Sequence, residues 1–331
     1  MTNKLSRKLL LSVLTVAFAF ITLGATTFAW FTLSTKAEVQ TFNVDVTSGA
    51  GIEISADGSN YSNYITADQI YAAITRAESS TILDHVTSKD GQTFTTIDYE
   101  GELSFDKGAN SGWAEFDLWF RSPEANVEVY MLNNTKVTST GVGWISDANF
   151  QLTPEKSVEV GSKETLYGAN AVRISTTENV LTPNDTGFQY VDGSTSNIYE
   201  LGGATGDQRL DTQIKTTYGS VAYYNAKNPN AQITDTIIQY VELPQVVLKT
   251  EDLPKLNELN TTTIDPEVHT PVATLKVANK YTGVNFYYGQ ITVRIWLEGW
   301  DPDMFNAIMA DKISISLVFG GHSPLADQTQ G

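Results

Sequence analysis

The sequence predicts an all-β protein, an antiparallel β-sandwich with long loops and one or two short helices, set behind an N-terminal apolar helix. Three observations predict it. Apolar and polar residues alternate with a period of two in stretch after stretch, as in sheets with one buried face. The chain is rich in strand-favouring aromatics, with 15 Tyr, 14 Phe and 6 Trp. Helical spacing is confined to two short segments besides the N-terminal one.

The N-terminus comes first. Lys4, Arg7 and Lys8 precede an uncharged run from Leu9 to Leu23, and Gly24-Ala25-Thr26-Thr27-Phe28-Ala29 follows. A basic stub, an apolar stretch and small residues at a break have the layout of a secretory signal peptide, here residues 1–29. Cleavage falls between Ala29 and Trp30, with Thr27 as the small residue at minus three. The same stretch also fits an uncleaved membrane anchor. It is uncharged from Leu9 to Trp30, over the roughly 20 residues a bilayer core requires, with Trp30 and Phe31 as interfacial aromatics. On either reading residues 30–331 lie outside the membrane, secreted or displayed on the cell surface.

The strands follow. Phe42, Val44 and Val46 alternate with Asn43, Asp45 and Thr47, and Ile52 and Ile54 come after Gly49-Ala50-Gly51. Phe116, Leu118 and Phe120 share one face of the run beginning at Trp113. Beyond Ser122-Pro123, Val127, Val129 and Met131 point one way while Glu128 and Tyr130 point the other. Ala171 to Ser175 reads as a shorter strand. Ile291, Val293, Ile295 and Leu297 alternate with Thr292, Arg294 and Trp296, and Ile313, Ile315, Leu317 and Phe319 repeat the pattern near the C-terminus.

Two helices are expected. Thr66 to Ile74 has a capping threonine, an early acid at Asp68 and apolar residues at helical spacing. Asp301 to Met309 has a capping aspartate, Pro302 at the first helical position and Asp303 near the positive end of the dipole. Between them, residues 141–270 are richer in Gly, Asn, Thr and Asp, and read as long insertions between sandwich strands or as a subdomain. Within this stretch Ile237 to Val241 and Val246 to Leu248 look like strands divided by Pro244, and no internal repeat is evident.

Composition narrows the function. With 21 basic and 38 acidic residues the net charge is -17, and removing 1–29 takes away three basic residues and no acid. Such a surface repels phosphate backbones, so no nucleic-acid partner is expected. The chain has no cysteine, hence neither disulfides nor thiolate metal sites, a composition that suits a Gram-positive exported protein. His85, His269 and His322 are scattered, without zinc-ligand spacing, and are read as loop or surface residues. No nucleophile elbow, phosphate loop or metalloprotease helix motif is present, so an enzyme is not expected and no catalytic residue or cofactor is assigned.

The acidic group Glu298, Asp301 and Asp303 offers three carboxylates that could hold calcium, although the spacing of a full calcium loop is missing. The plainer reading makes them caps and solvated turn residues. Trp113, Trp119, Trp144, Trp296 and Trp300 could stack on sugars, but strand tryptophans more often pack in the core.

Ala25-Thr26-Thr27-Phe28-Ala29-Trp30-Phe31-Thr32, with Phe42-Asn43-Val44 after it, resembles the start of the TasA and camelysin group of Gram-positive secreted proteins. Asn279-Lys280-Tyr281-Thr282-Gly283, leading into Ile291 to Trp300, is similar to the closing strands of TasA. The resemblance implies a jelly-roll-like sandwich, processing by a SipW-type signal peptidase, and a biofilm-matrix fibre. In such a fibre the N-terminal segment of one subunit completes the sheet of the next, giving a head-to-tail homopolymer. Here the donor candidates in that segment are Phe31, Leu33, Ala37 and Val39. The bland alternative makes the segment the first strand of its own sheet. The other expected partners are the signal peptidase and cell-wall or matrix polysaccharide. A monomeric adhesin or carbohydrate-binding module is the competing function.

Overall fold

A computed structural model describes residues 37–48, 51–96, 108–184, 187–191, 193, 195–202, 218–230, 232–234, 244, 246–259, 264–265, 268–278, 286–305, 308 and 311–323. Strand β1 (Ala37–Ser48) is followed by β2 (Glu53–Ser55), β3 (Tyr64–Ile65), helix α1 (Ala67–Arg76) and β4 (Ile82–Leu83). Then come β5 (His85–Thr87), β6 (Thr95–Thr96), β7 (Trp113–Ser122), β8 (Val127–Met131) and β9 (Lys136–Ser139). Four short strands follow: β10 (Val142–Ile145), β11 (Phe150–Thr153), β12 (Lys156–Val158) and β13 (Lys163–Leu166). Next are β14 (Val172–Asn184), β15 (Gly187–Val191), β16 (Ser196–Tyr199), helix α2 (Gly219–Lys227) and the single turn α3 (Leu256–Leu259). The chain closes with β17 (Ala273–Leu275), β18 (Val277–Ala278), β19 (Tyr287–Glu298) and β20 (Lys312–His322).

The protein is all-β, with its longest strands in two sheets. One sheet runs β17-β8-β20-β1, with β3 and β4 on the outer side of β1 and β9 beside β20. The other is built on β14, β19 and β7, with β16 along β14 and β2 along β7. The alternation seen in the sequence decides which faces meet. Phe42, Val44, Phe116, Leu118, Phe120, Ile291, Val293, Ile315, Leu317 and Phe319 are all buried in one apolar core, while Asn43 and Asp45 are exposed. Phe42 meets Phe116 edge to face at 5.3 Å, and Phe120 meets Phe319 at 5.2 Å, the ring geometry that aromatic quadrupoles favour.

Most pairings are antiparallel. The long pair β1 and β20 is parallel, from Glu38 opposite Lys312 to Ser48 opposite Gly321, with a register shift between Val39 and Thr41. These strands stand far apart in the sequence, so no tight hairpin dictates their sense.

Helix α1 forms where the sequence placed it. The N–H of Thr66 donates to Gln69 Oε1 at 2.9 Å, and Ile70, Ala73 and Ile74 turn their apolar stripe into the core. It lies between β3 and β4 in sequence, and both of these two-residue strands pair with β1. Short edge strands of this kind limit the open edge beside β1.

Several expectations need correction. The strand expected at Ala171 to Ser175 runs on to Asn184. Its first half pairs with β19, while its second half leaves the sheet as a two-stranded arm with β15. Of the helix expected over Asp301 to Met309, residues 301–305 instead form turns, with Met304 N–H bonded to the Asp301 carbonyl (2.9 Å). Ile308 lies in a 3-10 turn through its N–H to the Phe305 carbonyl (3.0 Å), while 306–307 and 309 lie outside the described residues. Val246 to Leu248 forms no named strand. Leu248 only bridges Tyr199, through Leu248 N–H to Ile198 O (2.8 Å) and Glu200 N–H to Leu248 O (2.9 Å). Ile237 to Val241 lies outside the described residues. Helix α2, in the middle region, was not foreseen.

Within 141–270, β14 and β16 are strands of the second sheet. By contrast β10 with β13, and β11 with β12, make small ribbons. Phe150 from these ribbons clusters with Trp144, Tyr223 of α2 and Phe305.

Candidate functional site

The place of β1 follows from its side chains. Val39, Phe42, Val44 and Val46 all point into the core. Burying four such side chains is worth roughly 6–12 kcal/mol at about 1.5–3 kcal/mol each. The backbone of β1 is held on one side by β20 and on the other by β3, β4 and two further bonds, Val39 N–H to Thr81 O (3.1 Å) and Val46 N–H to Asn63 O (2.9 Å). Of the donor candidates, Ala37 pairs with Leu83 and Val39 is buried in the chain's own sheet. Phe31 and Leu33 lie outside the described residues, as do the cleavage residues Ala29 and Trp30. Among the described residues no helix is long and apolar enough to cross a membrane. Beside the start of β1 a cavity of about 500 Å³ opens, lined by Val39, Tyr71, Ile74, Thr75, Ser79 and Thr81.

Glu298, Asp301 and Asp303 are buried rather than solvated turn residues. The reason is Arg173 on β14, itself 3% exposed. Its Nη2 donates to Asp301 Oδ2 at 2.5 Å and stands 3.5 Å from Glu200 Oε2. Glu298 accepts from Trp296 Nε1–H (3.1 Å) and from the Trp300 N–H (3.2 Å). Asp301 Oδ1 accepts from the Asp303 N–H at 2.8 Å. Burial pushes the Glu298 carboxyl above its ordinary value, against the opposing pull of Arg173 and of hydrogen bonds from Thr87, Trp296 and Trp300. Arg173 thus pins the end of β19 and the turns after it to β14. Among the described residues no group of three or more acids and histidines is arranged to hold a metal ion.

The outer face of the second sheet carries a polar band. Arg294 Nε donates to Glu115 Oε2 at 2.6 Å, and its Nη1 donates to Thr177 Oγ1 at 3.1 Å. Thr292, Asp117 and Asn179 continue the band toward Gln290. At one end Arg121 lies over the rings of Tyr61 and Phe286, at 4.3 and 4.4 Å, while bonded to Glu53.

Two loops of like design press on this face, Ser55-Ala56-Asp57-Gly58-Ser59-Asn60 and Ser88-Lys89-Asp90-Gly91-Gln92-Thr93. In each, one aspartate oxygen accepts the backbone N–H groups two and three residues on, at 2.7–2.8 Å. The other oxygen accepts a side-chain donor from the residue three on, at 2.7 Å. Burial alone would raise both aspartates, but these hydrogen bonds outweigh it and hold both below the usual carboxylate value. The glycine after each aspartate is left-handed, with φ +71° at Gly58 and +72° at Gly91. Gly58 sits against the Trp119 ring and Gly91 against Ser175. The shared pattern Ser-x-Asp-Gly-x-Asn/Thr is the sequence signal of both loops.

The described tryptophans pack against protein. Trp296 and Trp300 are buried, Trp113 stacks on Phe94 at 4.3 Å, Trp119 lies under Gly58 and Trp144 joins the Phe305 cluster. The histidines depart from the surface reading in one case. His322 is buried at the end of β20, with Nδ1 2.9 Å from the Leu259 carbonyl. His85 is half-buried in β5, and His269 Nδ1 lies 3.0 Å from the Asp252 carbonyl.

Comparisons with protein-family models, with curated proteins and with solved structures give no match to this chain.

Proposed function

We propose that the chain is an exported cell-surface structural protein, a subunit of an extracellular fibre or matrix that assembles when the N-terminal strand of one copy enters the sheet of the next. One observation carries the reading. β1 follows the apolar N-terminal segment directly, fills the core with Val39, Phe42, Val44 and Val46, and has its long pairing with the far C-terminal strand. Every main-chain partner of such a strand can be supplied equally well by a second copy. In the sequence Gly49-Ala50-Gly51 follows β1, and small residues suit a hinge through which a strand leaves its own sheet. A head-to-tail exchange that does not close on itself gives a filament.

The competing reading, a monomeric adhesin or carbohydrate-binding module, needs open aromatic faces. The packing of the five described tryptophans favours assembly over that alternative. The test compares the chain beginning at Trp30 with one beginning at Thr41, both viewed by negative-stain electron microscopy. Filaments from the longer chain alone support strand donation. Monomers from both, with calcium and at acidic pH included, move the reading to the adhesin.

A further inference from the structure

The polar band on the second sheet brings a nucleophile, a base and an amide into contact. Thr292 lies in β19 directly opposite Asp117 of β7, with Asn179 of β14 diagonal to it on the other side. The Thr292 hydroxyl donates to Asp117 Oδ1 at 2.7 Å, and its oxygen accepts from Asn179 Nδ2 at 2.8 Å. Asn179 Nδ2 also reaches Gln290 Oε1 at 3.4 Å. The backbone N–H of Gly193 donates to the amide oxygen of Asn179 at 3.4 Å. Thr292 and Asn179 are each 4% exposed, so bulk water is largely kept from both reacting groups.

We propose that Thr292 and Asn179 react with each other to form an intramolecular ester that staples β19 to β14. Each group has a chemical role. Asp117 takes the hydroxyl proton as Thr292 Oγ1 adds to the side-chain carbonyl carbon of Asn179. Negative charge develops on Asn179 Oδ1, where the Gly193 N–H already points. The intermediate collapses with cleavage of the carbon–nitrogen bond, and the nitrogen leaves as ammonia with the proton returned by Asp117. Alcohol and amide become ester and ammonia, without oxidant, metal or cofactor. The amide nitrogen of Asn179 already touches Thr292 Oγ1, and the amide torsion is broad. A modest tilt of the amide plane therefore turns the face of the adjacent carbonyl carbon to Oγ1, while Oδ1 stays near the Gly193 N–H and the sheet holds the two strands in place. This fixed proximity replaces a bimolecular encounter, and burial shields the ester from hydrolysis. A chain without cysteine gains here a covalent tie that no disulfide can supply. The inference stands apart from fibre assembly and holds for a monomer as well.

The test is to let the full chain fold at neutral pH, then denature it and digest it with trypsin. Cleavage after Arg173 and Arg209 releases 174–209, and cleavage after Lys280 and Arg294 releases 281–294. The expected product is the two peptides joined, lighter than their sum by one ammonia and separated by hydroxylamine. Thr292→Ser keeps the hydroxyl and is expected to retain the link, whereas Thr292→Val is expected to lose it. Free wild-type peptides at their sequence masses, ammonia loss confined to one peptide, or a link that resists hydroxylamine would each overturn the proposal.

Discussion

Replacing Arg173 by Met tests whether the buried ion network holds the second sheet together. The guanidinium is 3% exposed, and its partners Asp301 and Glu200 are each 1% exposed. Methionine roughly keeps the apolar volume but leaves both carboxylates without their cation. Breaking a buried pair from one side costs about 3–5 kcal/mol. At about 1.5–2 °C per kcal/mol for a chain of this length, Tm should fall by roughly 5–10 °C. Arg294→Met is the control. Its partner Glu115 is 31% exposed at the side chain, so the ion pair contributes at most about 1 kcal/mol. The pH dependence sharpens the test. Without Arg173 the stranded carboxylates have folded-state values above their unfolded ones, so their penalty grows as pH rises above about 4 and shrinks on acidification. Calorimetry of both variants at pH 5 and pH 7 measures this. Equal Tm losses for the two substitutions, or an Arg173→Met loss that does not shrink at the lower pH, would refute the reasoning.

Three further outcomes follow from the packing. Glu298 accepts N–H donors on both oxygens, so Glu298→Gln turns an amide NH₂ toward one of them, at a cost of about 1–3 kcal/mol. Because burial raises the folded-state value of Glu298 above 4.5, wild-type stability from this group falls as pH rises through that window. The deficit of Glu298→Gln in urea midpoints should therefore be larger at pH 5 than at pH 8. Gly91→Ala forces a left-handed alanine whose Cβ would lie 2.7 Å from Ser175 Cβ, whereas the same change at Gly161 meets nothing within 4 Å. Gly161→Ala should cost about 1–2 kcal/mol for backbone alone, and Gly91→Ala measurably more in the same thermal melts. Phe42→Ala removes a fully buried ring from β1 and should cost about 3–5 kcal/mol in chemical denaturation.

Where one side of a strand faces the core, the sequence could be read directly. Phe116, Leu118 and Phe120 alternate in the chain as they do in the sheet, and helix α1 followed from Thr66 and its apolar stripe. Long-range relations were hidden. Nothing in Phe42 to Val46 announces a parallel partner in β20, and nothing near Glu298 names Arg173, 128 residues before Asp301. Charge spacing alone made Asp301 and Asp303 look like caps or calcium ligands. The burial of Asp301 depends on a cation supplied by a different strand, which takes Oδ2 while Oδ1 still accepts the Asp303 N–H in the manner of a cap. The contact of Thr292 with Asp117 and Asn179 spans 175 and 113 residues, so only strand order reveals it. Helix α2 lacked a polar capping side chain at Tyr218 and a clean apolar stripe, and only Gly219 and Val221 are buried.

The central claim is that β1 can be given by one copy to another, and electron microscopy of purified protein tests it most directly. The chain beginning at Trp30 should form filaments. Phe42→Ala in that chain, which weakens the core contacts of the donated strand, should abolish or sharply reduce them. A chain beginning at Thr41 keeps Phe42, Val44 and Val46, so filaments from it would show only that residues 30–40 are not required. Filaments of equal abundance from the Phe42→Ala chain would contradict assembly through this strand.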